Sequence, residues 1–176
     1  YAARLARVIN LRRSDTAALG ALPPTYRWGA AFFVLKFGAA ERVNKMKYVL
    51  SEKYDTPEFM AKIMGPNPIK LEEELLTGCA IPKNATVCDL GSGQGLTSVF
   101  LAKEYGFTVY AADLWSNPDE NRAFFRRMAL SDAQIIPVKA DAEALPFERN
   151  FFDAVVSTDS YNYFGRDPDY LDRCLL

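Results

Sequence analysis

The sequence contains no histidine and only three cysteines among its 176 residues. Without histidine, the chain lacks the most common general base of enzymes and a frequent zinc ligand. Cys79, Cys88 and Cys174 are odd in number and lack metal-binding spacing, so the sequence predicts neither a zinc site nor a disulfide framework. We therefore expect a reducing compartment, the cytoplasm, and a structural role for Cys88 inside a buried strand.

The chain also lacks a strong net charge and a long apolar run. Its formal net charge is −1, so it does not show the basic footprint of a nucleic-acid-binding domain. The longest apolar stretch, residues 28–37, is interrupted by Lys36 and is too short to span a bilayer. Half of the residues are apolar, which is enough for the core of one globular domain.

The charge is unevenly distributed along the chain. Residues 1–45 carry eight basic residues and two acids, whereas residues 46–176 carry thirteen basic and twenty acidic residues. A basic, acid-poor segment is typical of a transit-like or surface-binding arm, or it is upstream sequence preceding a domain that starts at Met46. We therefore divide the chain into a basic N-terminal extension over 1–45, predicted to pack poorly, and a domain over 46–176.

The most informative pattern is a glycine-rich run over residues 87–95. Its apolar start is typical of a buried strand, and Asp89 lies at the end of that strand. Gly91, Gly93 and Gly95 then predict a tight turn in which the backbone can approach a ligand closely. The ten residues that follow are apolar at helical spacing, so the free N–H groups of a helix point back at the turn. Strand, turn and helix together predict a nucleotide-type pocket.

The spacing of the glycines separates two classes of nucleotide site. A dinucleotide fingerprint requires a small residue where this chain has Leu96, so an NAD site fits poorly. A second acid, Asp113, lies 22 residues after Gly91 at the end of the next predicted strand. Its two oxygens can accept both hydrogen bonds of a ribose diol, and a helix cap is the structural alternative. Many nucleotide cofactors contain this ribose, so Asp113 does not identify the cofactor.

A third element does discriminate between cofactors. A short strand ends at Asp141, and a turn through residues 145–147 leads to Asp153 and a fourth strand. The pattern Asp-Ala-x-x-Leu-Pro-Phe-x-x-x-x-Phe-Asp, with the preceding acid-x-Gly-x-Gly-x-Gly loop, resembles the class I S-adenosylmethionine-dependent methyltransferases. The resemblance is to the menaquinone- and ubiquinone-biosynthesis type and its small-molecule relatives, and it covers roughly residues 60–176.

This resemblance implies an S-adenosylmethionine site at the carboxyl ends of the strands. It implies that Asp141 faces the adenine amine, that the N–H of Ala142 reaches a ring nitrogen, and that Leu114 packs against adenine. The predicted cofactor-binding residues are Asp89, Gly91, Ser92, Gly93, Gly95, Asp113, Leu114, Asp141, Ala142 and Ser157. Residues 64–71 look like the entry segment of cyclopropane-fatty-acid-synthase-like relatives, which either closes over the methionine end of the cofactor or forms only a loop.

The order of elements predicts an α/β fold. Strands are expected at 85–90, 107–112, 134–138 and 152–157, and helices at 58–64, 70–77, 96–105, 118–130 and 168–176. This alternation predicts a parallel sheet with helices on both faces, which the resemblance identifies as the Rossmann-like class I methyltransferase fold. That fold has seven strands in the order 3-2-1-4-5-7-6, and only about four are encoded here. We therefore expect a C-terminally truncated domain in which the fourth strand has an unpaired edge.

The predicted chemistry is methyl transfer by in-line displacement. The cofactor supplies the activated methyl group and leaves as S-adenosylhomocysteine, so the protein mainly positions and desolvates the reactants. The catalytic candidates are Asp159, which would orient or deprotonate the acceptor, and Tyr161, which would line the pocket with Tyr163. The structural alternative for these residues is a cap and turn before a helix.

We predict a methyltransferase that acts on a small-molecule or lipid-like acceptor. Nucleic acid is not an expected partner, because the domain is acidic and lacks the Asn/Asp-Pro-Pro-aromatic motif of amino-methylating nucleic-acid enzymes. Two alternatives stay open at this point, a cofactor-binding but inactive domain and an NAD-linked oxidoreductase.

Overall fold

The structure of the protein, a computed structural model, describes the backbone of residues 6–10, 31–33, 48–165, 167, 169 and 170, and side chains from residue 48 onward within that set. The described strands form one six-stranded sheet. They are β1 (Ala6–Asn10), β2 (Ala31–Phe33), β3 (Thr86–Leu90), β4 (Thr108–Asp113), β5 (Ile135–Lys139) and β6 (Ala154–Thr158). Their spatial order is β2-β1-β6-β3-β4-β5.

The four predicted strands are confirmed as β3 to β6. They pair in parallel, with Asp89 opposite Ala111 between β3 and β4 and opposite Val156 between β3 and β6. The order β5-β4-β3-β6 is the 3-2-1-4 order of the Rossmann-like fold. All four strands therefore end at one edge of the sheet, where open α/β sheets bind their ligands.

The prediction of an unpaired edge on the fourth strand is wrong. β1 pairs antiparallel with β6 through five residue pairs, from Ala6 opposite Thr158 to Asn10 opposite Ala154, and β2 pairs antiparallel with β1. The N–H and C=O groups along that edge of β6 are thus used in a ladder. The expected poor packing of residues 1–45 is likewise wrong for the two described strands. The other residues of that segment lie outside the described part of the chain.

The helices alternate with the strands as predicted, with shifted bounds. They are a 3₁₀ turn at Ser51–Tyr54, α1 (Pro57–Met60), α2 (Pro68–Leu76), α3 (Leu96–Phe100) with a π-helical turn at Leu101–Tyr105, α4 (Pro118–Arg127) and α5 (Tyr161–Phe164). Asn67 and Asn117 cap α2 and α4 by accepting N–H groups of the first turn, and a proline follows each. The predicted helix at 168–176 falls almost entirely outside the described residues.

Each face of the sheet has its own core. Helices α1 to α4 pack on the first face, where Phe100, Phe124 and Phe125 are the largest fully buried side chains. The second face buries Cys88 and is covered by α5 and by aromatic side chains from the loop before β6. Helices therefore lie on both faces, and the carboxyl ends of β3 to β6 stay open between them.

Candidate cofactor site

The three glycines of the loop after β3 differ in what surrounds them. A Cβ on Gly91 would lie 2.4 Å from Ser160 Oγ, and one on Gly95 would lie 2.4 Å from the ring of Phe125. These two glycines let the loop pack against α5 and α4. A Cβ on Gly93 would meet nothing within 4 Å, and Gly93 lines the cavity at the end of the sheet. Gly93 is therefore the position at which absence of a side chain leaves space for a ligand.

Asp113, at the end of β4, ties the glycine loop to the next loop. Its Oδ2 accepts the N–H of Gly93 at 2.9 Å, and its Oδ1 accepts the N–H groups of Trp115 and Ser116 at 2.7 Å each. A carboxylate offers about four acceptor directions. Asp113 lines the cavity, and after these three bonds it has room for about one further strong hydrogen bond rather than the two expected from the sequence.

A buried amide supports the loop from α4. Asn121 is 5% exposed, and its Nδ2 donates to the carbonyl of Gly93 at 2.9 Å and reaches Ser116 Oγ at 3.5 Å. The sequence analysis missed this residue. The helical spacing nevertheless indicated that Asn121 is buried, because it lies at position i on the same helix face as Phe124 and Phe125 at i+3 and i+4.

The turn after β5 brings the third predicted acid to the cavity. Asp141 and Ala142 both line it. Asp141 Oδ1 accepts the N–H of Glu143 at 2.9 Å, and Tyr170 donates its hydroxyl to the carbonyl of Ala142 at 2.9 Å. The N–H of Ala140 bonds the carbonyl of Asp113 at 3.1 Å, so the β4 and β5 ends are joined. The turn is therefore held from both sides.

The end of β6 closes the cavity on the other side. Ser160 donates to the carbonyl of Leu90 at 2.8 Å and lies 2.8 Å from Ser157 Oγ. Asp159 lines the cavity with a left-handed φ of +57°, and burial raises the pKa of its carboxyl. Its Oδ2 is 3.6 Å from the point where a Cβ of Gly65 would lie. Asp159 thus faces the entry segment.

Tyr161 and Tyr163 do not share a location. Tyr161 is 8% exposed, packs against Phe164 and Tyr170, and is not among the residues that line the cavity. Tyr163 lines the cavity and is 79% exposed. The prediction that both tyrosines line the pocket is therefore wrong for Tyr161, because the helical turn of α5 directs it into the core of the second face.

The entry segment also borders the cavity. Met64 and Pro68 of this segment line the cavity wall, as do Lys62 and Ile63 just before it. The cavity has a volume of about 1010 Å³. Leu114 and Trp115 stand on the rim after β4 and are exposed by 40% and 88%. The prediction that residues 64–71 close over a bound cofactor stays a prediction, since the structure shows only that they reach the site.

Three of the predicted cofactor residues lie behind the cavity wall. Asp89, Gly95 and Ser157 do not line the cavity. Asp89 is 1% exposed, and its Oδ2 accepts the hydroxyls of Thr97 at 2.7 Å and Ser98 at 2.5 Å, which fixes the first turn of α3 to β3. Burial raises the pKa of Asp89 to about 6. Successive strand residues face opposite sides of the sheet, so Asp89, one residue before the end of β3, faces the side on which α3 packs.

The fold and the arrangement of the site are those of the Rossmann-like class I methyltransferases, which use S-adenosylmethionine. Residues 88–175, half of the chain, match the family described as "Methyltransferase domain". The chain belongs to this family. The NAD-linked alternative is thereby set aside.

The individual relatives include two proteins named as methyltransferases and one named for a different reaction, a hydroxylation. The human protein named "Arginine-hydroxylase NDUFAF5, mitochondrial" is 32% identical in an alignment of 117 residues that covers 61% of this chain and 32% of that protein. A structure from Methanococcus maripaludis, titled as a candidate S-adenosyl-L-methionine-dependent methyltransferase, is 25% identical with a TM-score of 0.52 and covers 78% of this chain and 61% of its own.

A third relative is phosphoethanolamine N-methyltransferase 2 of Haemonchus contortus, solved with phosphomonomethylethanolamine and S-adenosylhomocysteine. It is 25% identical with a TM-score of 0.51, over 70% of this chain and 28% of that protein. The chain thus spans about a third of the human relative and less than two thirds of each of these structures.

The described part of the chain can also be assessed for metal ligands and for membrane-spanning helices. In that part of the chain, no group of three or more cysteine, aspartate or glutamate side chains could hold a metal ion. Among the same residues, none of the helices combines the length and apolarity needed to cross a membrane.

Proposed function

We propose that this chain is the cofactor-binding part of an S-adenosylmethionine-dependent methyltransferase that acts on a small-molecule or lipid-like acceptor. One observation carries the proposal. Asp113, Asp141 and Asp159, which lie at or just after the ends of three different strands, line a single cavity together with the open backbone of Gly93. Convergence at the carboxyl ends of parallel strands is the arrangement by which open α/β sheets bind nucleotide cofactors.

The residues present fit S-adenosylmethionine. The space beside Gly93 leaves room for close approach of a ligand, and Asp113 retains acceptor capacity for one ribose hydroxyl. Ser92 Oγ lies buried beside the loop without a hydrogen-bond partner among the described residues, which is a polar atom available to a ligand. Asp141 and the backbone of Ala142 would hold the adenine, and Leu114 would cover one of its faces.

The charge of the cavity supports a cationic ligand. Among the described residues that line it, four carry carboxyl groups (Asp113, Asp141, Glu143 and Asp159) and one, Lys62, carries a positive charge. A negative cavity with low-dielectric walls concentrates cations. The sulfonium of the cofactor is such a cation.

The mechanism requires little covalent chemistry from the protein. The bound cofactor supplies a methyl group that is activated for in-line displacement. The glycine loop and Asp113 would fix the position of the cofactor, and the entry segment at Met64 and Pro68 would keep water away from the reacting atoms. Asp159 would orient the acceptor or accept its proton, because it lines the cavity after β6 and its carboxyl faces Gly65 of the entry segment.

The acceptor class rests on the site and on one relative. Tyr163 and Trp115 are exposed aromatic residues in the wall of the cavity, to which the carboxyl-bearing Asp159 also contributes. Aromatic faces and a carboxylate are groups that bind alkylammonium ions. The Haemonchus relative is named for N-methylation of a small phosphorylated amine. These features support a small molecule over a macromolecule as the acceptor.

Calorimetric titration tests the cofactor assignment. We expect S-adenosylhomocysteine to bind and NADH not to bind at comparable concentrations. Binding of NADH alone would overturn the proposal. Methyl transfer from labelled S-adenosylmethionine to a panel of small amines, lipids and phenols then tests the acceptor class. Cofactor binding without transfer to any of them would favour the alternative of a binding but inactive domain.

The cellular location is a separate proposal. We propose the cytoplasm, on the grounds that Cys79 is a free thiol and a reducing compartment suits it. The human relative is named as mitochondrial, and residues 1–45 here are basic and poor in acids, as in transit-like segments. Fluorescence microscopy of the chain tagged at its C-terminus decides between these two compartments.

A further inference from the structure

Lys62 is the one described residue of the cavity wall that carries a positive charge, and the proposed mechanism assigns it no role. Its ammonium donates to Oε1 of Gln94 at 3.1 Å and lies 4.8 Å from the centre of the Phe124 ring. Both of these partners are neutral. Lys53 provides a contrast, because its ammonium forms an ion pair with Glu104 at 2.6 Å. An ammonium has three donor hydrogens, so Lys62 keeps capacity for an anion.

The backbone of the glycine loop has little capacity left to bind an anion. The N–H groups of Gly91 and Ser92 donate to the same backbone carbonyl of β4, at 2.8 Å and 3.2 Å. The N–H of Gly93 donates to the carboxylate of Asp113. The N–H of Gly95 closes a turn onto the carbonyl of Ser92 at 2.9 Å. Glycine-rich loops commonly bind anions through such N–H groups, but an anion at this loop must find its donors mainly on side chains.

The side chain of Ser92 offers a second donor in the same place. Ser92 is 6% exposed and lines the cavity, and its Oγ has no hydrogen-bond partner among the described residues. Gln94, which holds the ammonium of Lys62, belongs to the same turn. Lys62 therefore contacts the turn that carries the Ser92 hydroxyl. A buried polar atom without a partner indicates a site that a ligand or a water molecule completes.

The order of the strands places this turn at the amino-acid end of the proposed cofactor. Asp141 follows β5 and Asp113 ends β4, and the proposed function assigns them to adenine and ribose. The next strand in the sheet is β3, which the turn with Ser92 follows. In S-adenosylmethionine, the amino-acid part comes after adenine and ribose, so it would extend toward this turn. That part carries an ammonium and a carboxylate.

The carboxylate of the cofactor needs a positive partner in this cavity. The carboxyl groups of the described wall attract the sulfonium and the ammonium of the cofactor, but they repel its carboxylate. A hydrogen bond between an ammonium and a carboxylate is about twice as strong as one between neutral groups. Lys62 is the described wall residue that can offset the repulsion.

We propose that Lys62 and the hydroxyl of Ser92 form a subsite for the carboxylate of the amino-acid part of the cofactor, and that this subsite selects cofactors that retain the carboxylate. This inference rests on the proposed function. In the free protein, the amide of Gln94 holds the ammonium at the cavity wall. The carboxylate would accept the donors of Lys62 that remain.

Calorimetry of the full chain with two ligands tests the subsite. S-adenosylhomocysteine carries the carboxylate, and its decarboxylated analogue S-adenosyl-3-thiopropylamine lacks only that group. We expect the wild type to prefer S-adenosylhomocysteine. Lys62→Met keeps an apolar stem beside Phe124 and removes the charge. It should shift the ratio of the two affinities by about tenfold toward the analogue, the low end for a hydrogen bond to a charged group, because Lys62 is only half-buried.

Two further variants sharpen the comparison. Lys103→Met removes an exposed lysine that does not line the cavity, so its ratio should equal that of the wild type. Ser92→Ala should shift the ratio in the same direction as Lys62→Met by about threefold, as for a hydrogen bond of a neutral donor. Both affinities are measured on the same protein sample, so a partly unfolded variant does not alter their ratio.

The outcomes separate this subsite from the proposed function. An unchanged ratio in Lys62→Met, or an equal loss of affinity for both ligands, overturns the subsite while the cofactor assignment stands. The equal loss would mean that Lys62 only ties down the loop through Gln94. A shift of the same size in Lys103→Met also overturns it, because net charge would then be the cause. An unchanged ratio in Ser92→Ala refutes the part assigned to Ser92. Failure of the wild type to bind either ligand overturns the proposed function together with the subsite.

Discussion

Replacement of Gly93 by alanine isolates the contribution of the open glycine to cofactor binding. The added Cβ would meet no protein atom within 4 Å, so the change places one methyl group in the cavity without a collision in the protein. The N–H that donates to Asp113 is retained. Gly93 has a φ of +53°, a left-handed conformation that costs an alanine roughly 1–2 kcal/mol.

Gly106 provides a matched control. It ends the helical segment after β3 with a φ of +69°, and a Cβ there would also meet nothing within 4 Å. Gly106 does not line the cavity. Both alanine variants should therefore lose a similar roughly 1–2 kcal/mol of unfolding free energy, since both pay only the backbone strain.

The affinities should differ between the two variants. A single methyl group placed in a fitted pocket changes binding by about 1–3 kcal/mol, or roughly 10- to 200-fold. We expect this loss for Gly93→Ala and an unchanged dissociation constant for Gly106→Ala, both measured by calorimetry with S-adenosylhomocysteine. Urea unfolding of the same samples gives the stability comparison. Wild-type affinity in Gly93→Ala, or equal losses in both variants, would refute the assignment of Gly93 to the cofactor surface.

Three further predictions concern the walls of the site. Asp113→Ala and Asp141→Ala should each weaken binding of S-adenosylhomocysteine by about 1–3 kcal/mol in calorimetry, and unchanged affinity in both would contradict the assigned site. Asn121→Ala removes the buried amide donor to Gly93, so we expect a loss of about 1–3 kcal/mol of unfolding free energy in urea titration; a neutral result would show that the loop does not depend on this bond.

The last of the three predictions concerns the pH dependence of stability. Burial raises the pKa of Asp89 in the folded protein to about 6, whereas its usual value is 3.8. The contribution of Asp89 to the free energy of unfolding is therefore fully present below pH 3.8 and is lost as the pH rises through 6. Unfolding free energy should fall by up to about 3 kcal/mol from pH 4 to pH 7, and a rise over that interval would contradict it.

The parallel half of the sheet could be predicted because its signals are local. Each of the strands β3 to β6 is a short apolar run followed by an acid or a turn residue, and the helices between them have clear periodicity. The antiparallel strand β1 could not be predicted in the same way. Its partner β6 lies about 150 residues away in sequence, and the dominant signal around Ala6–Asn10 was the excess of arginine.

The sequence indicated which residues lie at the strand ends, but it did not indicate the direction in which their side chains point. Position along a strand indicates which residues are near the ligand edge, and Asp113 and Asp141, which were predicted in this way, line the cavity. It does not indicate which side of the loop a residue faces, which is why Asp89 and Ser157 were assigned to the cofactor although they lie behind the wall. Only packing against α3 and α5 decides that direction.

The two residues that the sequence analysis missed share one physical signal. Asn121 and Glu72 are polar side chains on helix faces that are otherwise buried, where a polar group is expensive unless it has a partner or a use. Asn121 has its partner in the glycine loop. Glu72 has none among the described residues. A polar residue at a predicted core position therefore indicates a structural or functional demand on that position, and at Asn121 that demand is the support of the loop after β3.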